Sequence, residues 1–124
     1  MKLNVNRKTI LIVDDDVDLL ENTAFMINSM GHDVFTAKDG EDGATKYRDV
    51  NPDLTFMDIR MPKLDGYDAF FKIKQYDQEA KVILITAYNQ DEKKYLKAKS
   101  IGLVDAISKP YSFEIIEGLI DKHA

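Results

Sequence analysis

Apolar positions in this chain fall into two kinds of run that alternate from one end to the other. Thr9-Ile-Leu-Ile-Val13 is continuous and rich in β-branched residues, the pattern of a strand buried on both faces. Directly after it the period changes. Val17, Leu20, Ala24 and Ile27 recur at spacings of three and four, which predicts a helix with one apolar stripe that ends near Gly31. Further strands are predicted at Asp33 to Ala37, Leu54 to Met57, Lys81 to Thr86 and, more weakly, Val104 to Ile107. A second helix runs from Gly40 to Asp49 with Ala44 and Tyr47 inward, closed by Asn51-Pro52. A third, Tyr67 to Gln75, places Phe70 and Ile73 on one face, and a fourth, Asp91 to Ser100, stops near Gly102. The last, Ser112 to Lys122, carries Phe113, Ile116, Leu119 and Ile120 as its apolar set. Ser112, Glu114 and Glu117 suit its start, because a hydroxyl and early carboxylates satisfy exposed N–H groups and the positive dipole end.

Five strands alternating with five helices predict an α/β fold, a doubly wound parallel sheet with helices on both faces, since parallel neighbours need right-handed crossovers. The flavodoxin-like strand order 2-1-3-4-5 is one of two common solutions. In such sheets ligands collect beyond the carboxyl ends of the strands, where strand order reverses.

Composition narrows the class. A chain of 124 residues with 44% hydrophobic content supports one domain, read here as residues 1–124 with a core of about 8–122. Its 17 Lys and Arg against 22 Asp and Glu give a net charge of −5, which opposes whole-molecule affinity for nucleic acid or anionic membrane. With no cysteine there is no thiol nucleophile, disulfide or thiolate metal site, which suits a cytoplasmic location, and two histidines make a histidine-rich metal centre a poor fit. The apolar runs are far shorter than the roughly 18 residues of a membrane span, and no secretion signal is visible.

The residues just beyond the predicted strands are Asp14, Asp15 and Asp16, then Asp58, Thr86 and Lys109. If the first and third strands are neighbours, at least three carboxylates converge there. Each pair at ~4 Å repels by roughly 4 kcal/mol at an effective dielectric near 20. A divalent cation, the Lys109 ammonium or proton uptake can offset that repulsion. Oxygen-only donors select a hard ion, and Mg²⁺ fits because it accepts a few carboxylates and keeps several waters. A hard cation, a lysine, a hydroxyl and a carboxylate at one sheet rim are the parts that phosphoryl transfer requires, with the carboxylate able to act as nucleophile.

Four blocks carry these residues: Ile10-Leu-Ile-Val-Asp14-Asp15, Phe56-Met-Asp58-Ile-Arg-Met-Pro62-Lys-Leu-Asp-Gly66, Ile85-Thr86-Ala87 and Ser108-Lys109-Pro110. In order and spacing, over roughly Lys8 to Lys122, the chain resembles the receiver domains of two-component response regulators. That resemblance implies that Asp58 takes a phosphoryl group from a phosphohistidine on a sensor histidine kinase or a phosphotransfer protein. It implies Mg²⁺ on Asp15, Asp58 and the backbone carbonyl of Arg60, with Asp14 acting largely through metal-bound water. Thr86, with Ala87 beside it, would hydrogen-bond the phosphoryl oxygens and Lys109 would pair with them, next to a cis Lys109-Pro110 bond. The output would be a switched interaction with a partner protein or output domain, by a monomer or weak dimer. The chain ends about where the fifth helix should, as expected of a stand-alone receiver or a piece of a longer protein.

Two departures bear on the switch. Ala106 stands where the family usually places an aromatic ring that rotates as the threonine moves; Tyr88 or Tyr111 are candidates to substitute. Arg60 and Tyr88, two residues beyond Asp58 and Thr86, are long or bulky side chains of the kind that go with slow loss of the phosphoryl group.

Local readings complete the expectation. Asp16 and Asp18 read as helix-start carboxylates rather than extra ligands, and Asp65-Gly66 as a structural turn. Lys93, Lys94, Lys97 and Lys99 read as a solvated helix face. Tyr95, Tyr111, Phe113 and Ile115 are candidates for a dimer face, His32 for a turn, and Met26, Met30, Met57 and Met61 for packing. The competing class is the haloacid dehalogenase-like phosphatases, which also use an aspartate nucleophile, Thr or Ser, Lys and Mg²⁺. Forcing Asp14 and Asp16 into that pattern leaves Asp58 and Pro110 unexplained.

Overall fold

The computed structural model describes residues 6–86 and 91–124. Within them, five parallel strands form one sheet in the order β2-β1-β3-β4-β5. The strands are β1 (Thr9–Val13), β2 (Asp33–Ala37), β3 (Leu54–Asp58), β4 (Val82–Thr86) and β5 (Asp105–Ser108). The central strands are the continuous apolar ones, and every residue of β3 is buried. The edge strands β2 and β5 are partly exposed, which is why β5 reads faintly from sequence. Register aligns the strand ends: Val13 pairs with Met57, Asp58 with Ile85, and Thr86 with Ser108. The C-terminal ends of β1, β3, β4 and β5 therefore finish side by side.

Successive side chains of a strand point to opposite faces, and each face is covered by helices. Ile10, Ile12, Phe56, Ile83 and Ile85 pack with Leu20 and Ile27 of α1 (Val17–Ser29) and Ile116 and Ile120 of α5 (Phe113–His123). Leu11, Val13, Met57, Val82 and Leu84 pack with Tyr47 of α2 (Gly40–Val50), Phe70 and Ile73 of α3 (Gly66–Tyr76) and Ala98 of α4 (Glu92–Ser100). All five helices start the same way. Asp16, Asp39, Asp65, Asp91 and Ser112 each accept the N–H of the third residue on, filling one of the vacant donors of a helix N-terminus.

The structure differs from the sequence reading at a few points. Val17 is 46% exposed, because it begins α1 beyond the sheet edge, and Thr23 takes a buried place in the stripe instead. Asp58 is the last residue of β3 rather than the first after it, and β5 is displaced by one residue, to end at Ser108.

Candidate functional site

Asp14 follows β1 directly. Its N–H donates to the Ala37 carbonyl, its Oδ1 accepts the Asp16 N–H at 2.9 Å, and it is only 3% exposed. Asp58 ends the fully buried β3 and is 4% exposed. Asp15, between Asp14 and the α1 cap, is exposed. The sheet register brings a carboxylate oxygen of each of the three to within 4.8 Å of the others. Lys109 reaches in from the end of β5, its Nζ 3.2 Å from Asp14 Oδ2 and 3.4 Å from Asp58 Oδ1. Its backbone N–H donates to the Thr86 carbonyl at 2.8 Å, and its bond to Pro110 is cis. Thr86, half-buried at the end of β4, completes the rim. Asp14, Asp15, Asp58, Thr86 and Lys109 thus come together as the strand-end argument requires. Ala87 and Tyr88 lie outside the described residues.

The electrostatics follow from burial. Leaving water raises the Asp58 carboxyl to about 6, the Asp14 and Asp15 charges push the same way, and the Lys109 ammonium opposes them. Burial works against the Lys109 charge, but the Asp58 and Asp14 carboxylates outweigh it and hold the ammonium above its ordinary range. The three carboxylates gather in a partly buried pocket with the Lys109 ammonium set against two of them. The donors there are hard oxygens, so the set fits Mg²⁺.

Around this cluster the β3–α3 loop is tightly held. The Gly66 N–H donates to the Ile59 carbonyl at 2.8 Å, and a Cβ on Gly66 would overlap the Asp58 carbonyl oxygen and crowd Ile59 Cα. Asp65-Gly66 is therefore more than a turn: Gly66 permits the chain to pass against the residue that carries the site. Asp65 caps α3 and also accepts the Lys94 ammonium at 3.0 Å, while Asp68 accepts it at 3.1 Å. Lys94 consequently leaves the solvated face predicted for the fourth helix, whereas Lys93, Lys97 and Lys99 stay exposed. Sequence reading missed this clamp because its partners are more than twenty positions apart and share no spacing signal. Arg60, exposed, lines the mouth of the site beside Asp15 and Asp65.

Ala106 borders a cavity of about 260 Å³ with Thr86, Tyr67 and Tyr95. It packs on the α2–α3–α4 face of the sheet. Tyr111 belongs to the opposite face, where its hydroxyl lies 2.8 Å from that of Thr23. That placement separates Tyr111 both from the Ala106 cavity and from Tyr95, so the two tyrosines do not share a face. Asp16 caps α1, and Asp18 stands outside the carboxylate cluster. His32 accepts the Lys8 N–H through Nδ1, a fold contact. Among the described residues, no helix is long and apolar enough to cross a membrane.

Comparison with known proteins agrees with this geometry. Residues 10–121 match the family described as the response regulator receiver domain. The chain is 40% identical over 104 residues to the chemotaxis protein CheY of Treponema pallidum, covering 82% of this chain and 72% of that one. It spans less than half the length of several transcriptional regulators that it also matches. Its fold superposes with a TM-score of 0.87 on a CheY-like receiver domain protein from Methanospirillum hungatei, at 26% identity, covering 94% and 93% of the two chains. A CheY of Borrelia burgdorferi, solved with CheX, BeF₃ and Mg²⁺, is 31% identical with a TM-score of 0.81 over 92% of this chain and 87% of that one. Four strand ends, their carboxylates and lysine, and a match over nearly the whole length lead to one conclusion: this chain belongs to the receiver domains of two-component response regulators.

Proposed function

We propose that Asp58 is the phosphoryl acceptor of this receiver. As a member of its family the chain is a signalling phosphoacceptor, and the phosphatase alternative finds no support in the comparisons. In the proposed step an Asp58 carboxylate oxygen attacks the phosphorus of a phosphohistidine on a sensor kinase or phosphotransfer protein. The P–O bond forms, the P–N bond breaks, and the imidazole leaves and takes up a proton. Lys109, already beside Asp58, pairs with the transferring oxygens, and the Thr86 hydroxyl and Ala87 N–H donate to them. Asp14, Asp15, Asp58 and the Arg60 carbonyl would hold Mg²⁺, which supplies positive charge against the phosphoryl oxygens.

The observation that carries this reading is the position of Asp58: buried, gathered with two other acids, and 3.4 Å from a lysine. The chain promotes its own phosphorylation and slow dephosphorylation in the cytoplasm, and the phosphorylated form changes its contact with a partner protein or an output domain. Arg60 at the mouth and Tyr88 slow the approach of water, so changing them to Asn and Glu shortens the life of the phosphoryl group. The test is incubation with acetyl phosphate and Mg²⁺ followed by intact mass. Gain of one phosphoryl group, lost on chelation and in Asp58→Asn, supports the assignment; equal labelling of Asp58→Asn refutes it.

A further inference from the structure

A groove between α3 and α4 lies away from the carboxylate cluster. It has a volume of about 500 Å³ and is lined by Phe71, Lys74, Gln75, Gln78, Lys97 and Ile101, with no carboxylate among them. Its floor is apolar. Phe71 is half-buried, and Ile101 is 40% exposed although nothing in its chemistry favours water.

The two lysines at its rim are held by neutral partners. Lys97 Nζ lies 4.5 Å from the centre of the Phe71 ring, and Lys74 Nζ donates to the Gln78 carbonyl at 2.7 Å. Lys74 also sits against Gly102, at the C-terminal end of α4, where the helix dipole favours a cation. Among the described residues neither has a carboxylate within ion-pair distance. An ammonium carries three donors, so both retain capacity at the groove. On a chain of net charge −5, this is a local reversal of sign over an apolar floor.

We propose that the α3–α4 groove docks an acidic segment of another protein that carries one bulky apolar anchor. The anchor covers Phe71 and Ile101, and carboxylates on either side of it meet Lys74 and Lys97. Charge complementarity selects this occupant, since two ammonium groups held by neutral partners flank an apolar floor that has no carboxylate in its lining. A nucleic acid is a poor fit, because its repeating phosphates meet two cations here and net negative charge elsewhere. The proposal uses none of the carboxylate cluster, so it stands or falls separately from the phosphoryl assignment.

The test titrates the intact ¹⁵N-labelled chain with the capped peptide acetyl-Glu-Asp-Phe-Leu-Asp-Glu-amide. Expected are amide shifts confined to the groove, and affinity that falls several-fold as salt rises from about 50 to 300 mM. Lys74→Glu with Lys97→Glu weakens binding by about tenfold or more, and replacing Phe-Leu in the peptide by Gly-Gly does the same. Lys74→Gln with Lys97→Gln gives a smaller loss and guards against misfolding of the charge-reversed pair. Absence of shifts at millimolar peptide, shifts elsewhere on the surface, or unchanged binding by both lysine pairs overturns the proposal. So does equal binding of the anchorless peptide, or tighter binding of an oligothymidine.

Discussion

The Lys109 ammonium lies 3.4 Å from the Asp58 carboxylate, yet that carboxyl still sits near 6, well above its ordinary 3.8. Burial and the neighbouring acids win over the lysine. A group whose pKa is higher folded than unfolded stabilises the fold while protonated, and that contribution is lost as pH rises through the folded value. Without divalent metal, stability from this group is complete below pH 4 and falls by about 3 kcal/mol in all as pH rises from 4 to just above 6, with roughly half of that loss left between pH 5 and 7.5. Asp58→Asn removes the dependence, so urea denaturation at pH 5 and 7.5 brackets a slope in the native chain that flattens in the variant. Parallel slopes in the two proteins contradict the assigned cause.

Magnesium acts in the opposite sense. A cation held among Asp14, Asp15 and Asp58 would offset the cost that burial and the neighbouring acids place on the Asp58 charge, so it is expected to favour the folded, deprotonated chain. At a hundredfold excess over its dissociation constant it adds about 2.7 kcal/mol of stability. The rise in Tm is large at pH 7.5, small at pH 5 where protons compete for Asp58, and much reduced in Asp58→Asn. A shift of equal size at both pH values places the ion elsewhere.

Lys94 ties α4 to the start of α3 through Asp65 and Asp68. Its side chain is about one-third exposed, so solvent screens the pair. Lys94→Met costs about 0.5 to 1 kcal/mol, and the loss shrinks in high salt. Asp65→Ala costs about 1 kcal/mol more, because it also vacates the cap that receives the Asp68 N–H. A double-mutant cycle on Lys94 and Asp65 separates the pair from the cap; zero coupling contradicts the clamp.

Much of this was legible in the sequence. The continuous Ile10 to Val13 and Val82 to Ile85 runs announce buried parallel strands, and acids, threonine and lysine fall directly at strand ends because a ligand rim needs them there. The whole carboxylate cluster follows from strand order plus register. What was not legible depends on chain segments meeting at a distance. Lys94 looks like its neighbouring lysines until α3 presents two aspartates to it. Tyr111 and Ala106 are five residues apart, yet the chain turns past Pro110 and puts them on opposite faces. Thr23 joins Leu20 and Ile27 in the buried α1 stripe, where its hydroxyl meets that of Tyr111, a partner that no hydropathy period encodes.

The space beside Ala106 is bounded by Tyr67, Tyr95 and Thr86. Ala106→Tyr puts a ring into it without displacing main chain, so stability changes by less than about 1.5 kcal/mol. If the cavity takes part in the switch, the same substitution alters partner binding by the phosphorylated form. Unchanged binding and loop dynamics argue against any role for this position.

Gly66 makes the sharpest structural demand near the site. Its φ is not in the left-handed region; the constraint is room, because a Cβ there would overlap the Asp58 carbonyl oxygen and crowd Ile59 Cα. Both obstacles are backbone, and the Gly66 N–H is itself bonded to the Ile59 carbonyl, so neither side can yield alone. Gly66→Ala therefore forces the β3–α3 loop outward and costs about 3 kcal/mol, at the upper end for overpacking. The displaced loop carries the end of β3 with it, so magnesium binding weakens as well. Gly118, which has open space around it, supplies the control. Gly118→Ala on the exposed face of α5 is expected to gain about 0.5 to 1 kcal/mol from helix propensity. Denaturation of the two variants in parallel decides the matter: equal effects mean that Gly66 is chosen for propensity rather than for its closeness to Asp58.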